Sequence, residues 1–151
     1  MAHMLTYTFV LLIQVALLLV VGFWVYAIPF TGSMYLIFAL TASMSFCGMT
    51  FGLFVSSIAT SENSATMLSL GTFYPMLLLS GTLWPIEGMK SALLSNLSLI
   101  LPLGIPIQSL RIIMVRGWDL THFEVVSGFL IIYVWIAVFL ATSVLILKLR
   151  R

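Results

Sequence analysis

Residues 125–147 read VVSGFLIIYVWIAVFLATSVLIL, and this unbroken apolar stretch decides the fold of the chain. Fifteen of its residues are Leu, Ile, Val or Phe, and none is charged. A bilayer core about 30 Å thick needs a helix of about 20 apolar residues to cross it. Each such side chain favours insertion by about 0.3–0.6 kcal/mol near the membrane centre. The stretch therefore predicts a membrane-spanning helix, closed by Lys148, Arg150 and Arg151.

The composition of the whole chain excludes several other classes of protein. Its 151 residues are 62% hydrophobic and 7% charged, and the mean hydropathy is +1.23. Soluble domains carry about 25% charged residues, and disordered chains combine low hydrophobicity with high charge. A net charge of +2 is too small for a nucleic-acid-binding surface. The single cysteine, Cys47, excludes an internal disulfide and a multi-cysteine metal site.

Three further spans are predicted upstream, at about residues 6–27, 34–59 and 65–82. Residues 4–61 contain no charged side chain and are long enough for two crossings. Pro29 and Gly32 mark the turn between these two crossings. The polar run TSENS at residues 60–64 then separates the second span from the third.

Residues 83–122 are apolar but interrupted, and they predict a re-entrant segment on the side of the membrane opposite the termini. Pro102, Pro106, Asn96 and Arg111 fall within it. Irregular backbone at membrane depth is tolerated only where it is buried in protein or lines water. We therefore expect short helices that dip into the membrane and return. A fifth crossing at about residues 93–115 is the alternative.

The predicted fold is an all-α polytopic transmembrane bundle of about four spans, with the re-entrant segment between the last two. Residues 1–151 would form a single partial transmembrane domain. Four spans place both termini on one side of the membrane. Basic residues do not choose that side, because three lie at the C-terminal end and three in the opposite segment, namely Lys90, Arg111 and Arg116.

Small residues recur at every fourth position of the second span. This stripe consists of Gly48, Gly52, Ser56 and Thr60, and its first pair is a GxxxG motif. Small residues at this spacing let two helix backbones approach closely in a membrane. The stripe predicts a helix-packing face, used either within the chain or in a dimer.

Polar residues of the re-entrant segment have competing interpretations. Arg111 either reaches lipid headgroups or pairs with Glu87 and holds the segment, since an unpaired charge near a membrane is costly. Asn96-Leu97-Ser98 fits the glycosylation sequon, which matters only if it faces a lumen. We expect no metal site at Asp119, His122 and Glu124. A capping box at the membrane interface explains two of the four residues 121–124, and no second cluster completes a site.

Three motifs, in order, resemble the transmembrane domain of type-2 ATP-binding-cassette (ABC) exporters, closest to the eukaryotic G and H subfamilies. They read FGLFVSSIATSENSA at residues 51–65, LSGTLWPIEGM at 79–89 and LPLGIPIQSLRIIMVRGW at 101–118. Lys90 stands where the family pattern usually has proline. Together the motifs cover about residues 45–120, and the flanking spans match in hydropathy only.

The resemblance implies that the chain holds spans three to six of a six-span permease domain. The first two spans and the nucleotide-binding domain, with its ATP and Mg²⁺, would then lie outside it, either on the same polypeptide or on another. A second permease half would complete a homo- or heterodimer in the lipid bilayer. By the family analogy, the substrate path or gate would be lined by Phe73, Met76, Leu77, Thr82 and Leu83. The resemblance also favours cytosolic termini and the plasma membrane.

The expected function is thus the permease portion of an exporter for a hydrophobic or lipid-like substrate. The chain contains no Walker motif, so it is not expected to be an enzyme by itself. The alternative is a short, non-transporting membrane module that assembles with a full transporter.

Overall fold

The structure is a computed structural model that describes residues 2–29, 31–80 and 101–149. It contains five α-helices in these ranges: α1 Ala2–Val20, α2 Met34–Ile58, α3 Glu62–Leu79, α4 Gly104–Arg116 and α5 Phe123–Leu149. A π-helical turn, Val21–Val25, continues α1. The predicted all-α membrane bundle is confirmed, since the described ranges contain helices and no strand.

Within the described ranges, three helical segments are long and apolar enough to cross a membrane. They are Leu5–Val25, Met34–Ile58 and Phe123–Leu149. The helix α3 is not among them, because its polar first turn makes its 18 residues too hydrophilic on average. Its crossing remains a prediction, as does the re-entrant path through residues 81–100, which lie outside the described residues.

The helix α3 begins at Glu62, before the start predicted for the third span at Ala65. Ser61 and Ser64 explain the early start through a reciprocal cap. The backbone amide of Ser64 donates to the Ser61 hydroxyl at 3.3 Å, and the amide of Ser61 donates to the Ser64 hydroxyl at 3.1 Å. Both bonds satisfy amide groups that a helix start leaves without a partner.

The core of the bundle lies between α2 and α5, which share the most extensive interface of the described helices. It is a cluster of buried apolar side chains that α4 completes with one residue: Ile37, Leu40, Cys47, Ile113, Val125, Ile132, Ile136 and Phe139. By contrast, every residue of α3 is exposed or only half-buried. The helix α3 is therefore the loosely held element of this bundle.

A close contact at Gly128 fixes α4 against α5. A Cβ atom added at Gly128 would lie 2.6 Å from the Cβ of Ser109 and would also collide with the Ser109 hydroxyl. That hydroxyl lies 2.6 Å from the carbonyl oxygen of Glu124 on α5, to which it donates a hydrogen bond. Glycine at position 128 thus lets α4 approach closely enough for this bond to form.

We expect Gly128→Ala to lower the free energy of unfolding by about 1–3 kcal/mol, because the new methyl group overpacks the contact with Ser109. Thermal unfolding in detergent micelles measures the change. Gly71→Ala is the matched control, since a Cβ there meets no described atom within 4 Å. It should be neutral or stabilising, because alanine is the better helix former. An unchanged unfolding temperature for Gly128→Ala would show that α4 does not approach α5 this closely.

Candidate functional site

The candidate site is a partly open apolar cavity of about 80 Å³, lined by four parts of the bundle. One wall comes from α2, a second from α3, a third from the turn that leads into α4, and the last from α5. The lining residues are Met44, Cys47, Gly48, Phe51, Phe73, Met76, Pro102, Leu103 and Phe139. Their side chains carry no charge, and the only heteroatoms they present are sulfurs.

Local sequence explains why space remains here. Gly48 contributes no side chain, and a Cβ added to it would meet no described atom within 4 Å. Phe139 on α5 packs among aromatic rings, 5.5 Å from the ring of Phe51 and 5.2 Å from that of Trp135. Aromatic pairs at such distances attract each other beyond their simple burial. The Phe139 ring, packed against its aromatic neighbours, therefore borders the space that Gly48 leaves unfilled.

Two of the residues expected along a substrate path line this cavity, namely Phe73 and Met76. Leu77 is half-buried on the same helix and is not among the lining residues. Thr82 and Leu83, the other two, lie outside the described residues. The structure thus brings Phe73 and Met76 together with Gly48 of the small-residue stripe and Pro102 of the re-entrant segment.

The small-residue stripe faces α3 across open space. Gly48 lines the cavity, while Gly52, Ser56 and Thr60 line a wider groove of about 440 Å³ between the end of α2 and the start of α3. All four residues are exposed in this chain, and a Cβ added at Gly52 would meet no described atom within 4 Å. No described helix packs closely on the stripe, so a packing role within the chain and a role in a dimer both remain predictions.

The predicted residues of the re-entrant segment separate in the structure. Pro102 and Pro106 are buried, Pro106 beside Gly128, whereas Arg111 is exposed. Glu87 and Asn96 lie outside the described residues, so the Glu87–Arg111 pair and the sequon remain predictions. Arg111 therefore reaches the surface of α4 rather than the cavity.

Sequence reasoning missed a stack at the end of α4. The Arg116 guanidinium lies 4.9 Å from the centroid of the Trp118 ring, and the His122 ring stacks on Trp118 at 4.3 Å. A cation over an indole face is attracted by its quadrupole. Among the described residues, no group of three or more potential metal ligands comes together. His122 is thus engaged with an aromatic ring.

Residues 1–115 match the family described as ABC-2 type transporter. The chain belongs to this family. The predicted resemblance is therefore confirmed, and the match extends to the first helix, beyond the motifs that carried it. The ABC-2 family supplies permease-type membrane components, so the chain is an integral, multi-pass permease portion of an ABC transporter.

Individual relatives agree with this assignment. The chain is 34% identical over 146 residues to ABC transporter G family member 20 of Dictyostelium discoideum, covering 97% of this chain and 20% of the relative. Member 23 of the same organism is 27% identical over 137 residues, covering 90% and 19%. The probable multidrug ABC transporter permease YbhR of Escherichia coli K12 is 33% identical over 90 residues, covering 60% and 24%. The ABC-2 chain thus spans about a fifth of the length of the two G family relatives.

No solved structure shows a significant match to the chain. The arrangement of the cavity in this ABC-2 chain therefore rests on its own helices and contacts.

We expect Gly48→Leu to fill the cavity without disturbing the fold, because the added atoms enter open space. Labelling of Cys47 by a small membrane-permeant maleimide should slow about tenfold. This factor corresponds to an increase of about 1.4 kcal/mol in the free energy needed to expose the thiol. Gly71→Leu, on α3 and outside the cavity lining, is the control and should leave the labelling rate unchanged. Equal labelling of both variants would mean that the cavity does not provide access to Cys47.

Proposed function

We propose that the chain forms part of the translocation path of an ABC exporter for a hydrophobic or lipid-like substrate. The observation that carries the proposal is the uncharged cavity at Phe73 and Met76, the positions expected along the path. An apolar group that leaves water for such a lining gains about 25 cal/mol for each Å² of surface buried. An ion would lose its hydration shell and find no charged partner there.

The energy for transport would come from a nucleotide-binding domain outside this chain, where ATP and Mg²⁺ would bind. Two permease halves, identical or different, would face each other and open in turn to the two sides of the membrane. The role of this chain's residues would be to present an apolar surface and to change its access. Thr82 and Leu83 would belong to the outer gate that follows α3.

Exposure of α3 supports a second permease half on this side of the bundle. Apolar side chains of α3 are left uncovered by the described residues, with Met67 77%, Tyr74 59% and Phe73 44% exposed. Lipid would cover some of these side chains, but a substrate path also needs protein on the side of α3 that faces away from α2. A second half facing α3 would supply that wall and enlarge the cavity.

The geometry of α4 supports the re-entrant interpretation over a fifth crossing. With 13 residues at 1.5 Å each, α4 is about 20 Å long, shorter than the hydrocarbon core of about 30 Å. Pro102 and Leu103, before its start, lie at the cavity beside the middle of α2 and α5. Its end contacts Thr31 in the loop before α2. We place this end on the outer face of the plasma membrane, with both termini in the cytosol.

In the full-length transporter, we expect Met76→Ala to reduce substrate-stimulated ATP hydrolysis about tenfold, if the lost contact contributes about 1.4 kcal/mol. Basal hydrolysis should change little, since the nucleotide would bind to a domain outside this chain. Leu70→Ala is the matched control, because Leu70 lies on the same helix, is 47% exposed and does not line the cavity. Equal stimulation of the Met76→Ala variant and the unaltered transporter would contradict a path at this cavity.

The size of the native polypeptide distinguishes the exporter from a non-transporting module. An immunoblot with an antibody against residues 115–124 should show a band several times heavier than the 16.8 kDa of this chain, as the length of the G family relatives indicates. A band near 16.8 kDa would instead favour a short module that assembles with a full transporter.

A further inference from the structure

The C-terminal end of α4 is capped by a residue from a distant part of the chain. The amide of Thr31 donates to the carbonyl of Met114 at 2.9 Å. Its hydroxyl lies 3.2 Å from the same carbonyl and 3.1 Å from that of Val115. The amide of Gly117 donates to the carbonyl of Ile113 at 3.1 Å. Carbonyls that a helix end leaves without partners are thus satisfied largely by the loop between α1 and α2.

Two glycines allow this loop to approach. Gly117 adopts the left-handed conformation, with φ at 65°, and a Cβ on it would lie 3.1 Å from the carbonyl oxygen of Thr31. A Cβ on Gly32 would collide with the carbonyl of Ile113. A side chain at Gly117 would displace Thr31, and a side chain at Gly32 would displace Ile113. The loop and the end of α4 can therefore pack this closely only because both positions are glycine.

The opposite end of α4 forms a wall of the apolar cavity. Pro102 and Leu103 immediately precede the helix and line the cavity. The amide of Ile107 donates to the carbonyl of Leu103 at 3.2 Å, which ties this wall to the first turn of α4. Between the two ends, near the middle of the helix, Ser109 is held against Glu124 and Gly128 of α5.

We propose that Thr31 is a positioning residue for the cavity, acting through α4. The short helix is one hydrogen-bonded unit whose buried residues, Gly104, Pro106, Ser109 and Ile113, pack against the bundle along its length. A displacement at one end is therefore transmitted to the other. Release of Thr31 from Met114 and Val115 would move Pro102 and Leu103 and widen the cavity, which Cys47 also lines. The loop between α1 and α2 thereby sets the access to the cavity.

An effect of Thr31 on transport would rest on the proposed function. An effect of Thr31 on the shape of the cavity does not. Cys47 is the only cysteine of the chain and lines the cavity, so its labelling reports the wall directly. The full-length transporter, with cysteines outside this chain replaced, is placed in lipid vesicles and labelled with N-ethylmaleimide. Failure of the proposed transport function would appear in substrate-stimulated ATP hydrolysis, as tested with Met76→Ala. Failure of the coupling between Thr31 and the cavity would appear in the labelling rate of Cys47.

Thr31→Val removes the hydroxyl and keeps both the side-chain shape and the backbone amide. We expect it to raise the rate of Cys47 labelling about fivefold, the shift that loss of one neutral hydrogen bond produces in an open–closed equilibrium. Thr31→Ser retains the hydroxyl and should label as the unaltered protein does. Thr142→Val is the matched control, because the Thr142 hydroxyl bonds only to carbonyls of its own helix, at 2.7 Å and 3.1 Å.

Gly117→Ala disturbs the same contact from the side of α4 and should also raise labelling, so that the test survives if Thr31→Val fails to fold. Unchanged labelling in either folded variant would overturn the proposal and leave Thr31 as a local cap. An equal rise in Thr142→Val would also overturn it, because the effect would then be a general loosening of the bundle.

Discussion

A polar group without a hydrogen-bond partner is costly in a membrane protein, and this constraint decides how α4 can end. Each unsatisfied group at membrane depth costs several kcal/mol. The last carbonyls of α4 find partners in another segment of the chain. In the loop between α1 and α2, the Thr31 hydroxyl donates to the carbonyls of Met114 and Val115. The position of α4 therefore depends on a turn that lies more than 80 residues earlier in the sequence.

The same constraint explains why the cavity is apolar although the helices carry many hydroxyl groups. Most of these hydroxyls donate to a carbonyl one turn earlier in their own helix, as Thr41, Thr50 and Ser143 do. Within the described residues, every buried side-chain nitrogen or oxygen has a hydrogen-bond partner. Ser109 differs, since it also reaches the Glu124 carbonyl on a second helix. Hydroxyls bound in this way add little polarity to the space between helices, and the lining of the cavity remains apolar.

Hydropathy was sufficient to locate most of the helices, but it could not orient them. A helix that is apolar all round has no periodic pattern from which a buried face can be read. Cys47, Phe51 and Phe139 were therefore not expected at the cavity, although their helices were. Phe73 and Met76 also line the cavity. The family resemblance placed both along a substrate path, and that role stays a prediction. The cap at Ser61 and Ser64 was readable in principle, but serine stands where the usual motif has glutamate or glutamine.

The size of the cavity constrains how a substrate could pass through it. At about 80 Å³ it is much smaller than the roughly 300–1,000 Å³ of ordinary ligand pockets, so it holds only part of a lipid-like molecule. Passage requires two walls to separate, and the weakest contact will open first. The interface between α2 and α5 contains most of the buried core, whereas α3 has no residue fully buried and touches α2 only lightly. Opening should therefore occur between α2 and α3, along the small-residue stripe, where few apolar contacts are lost.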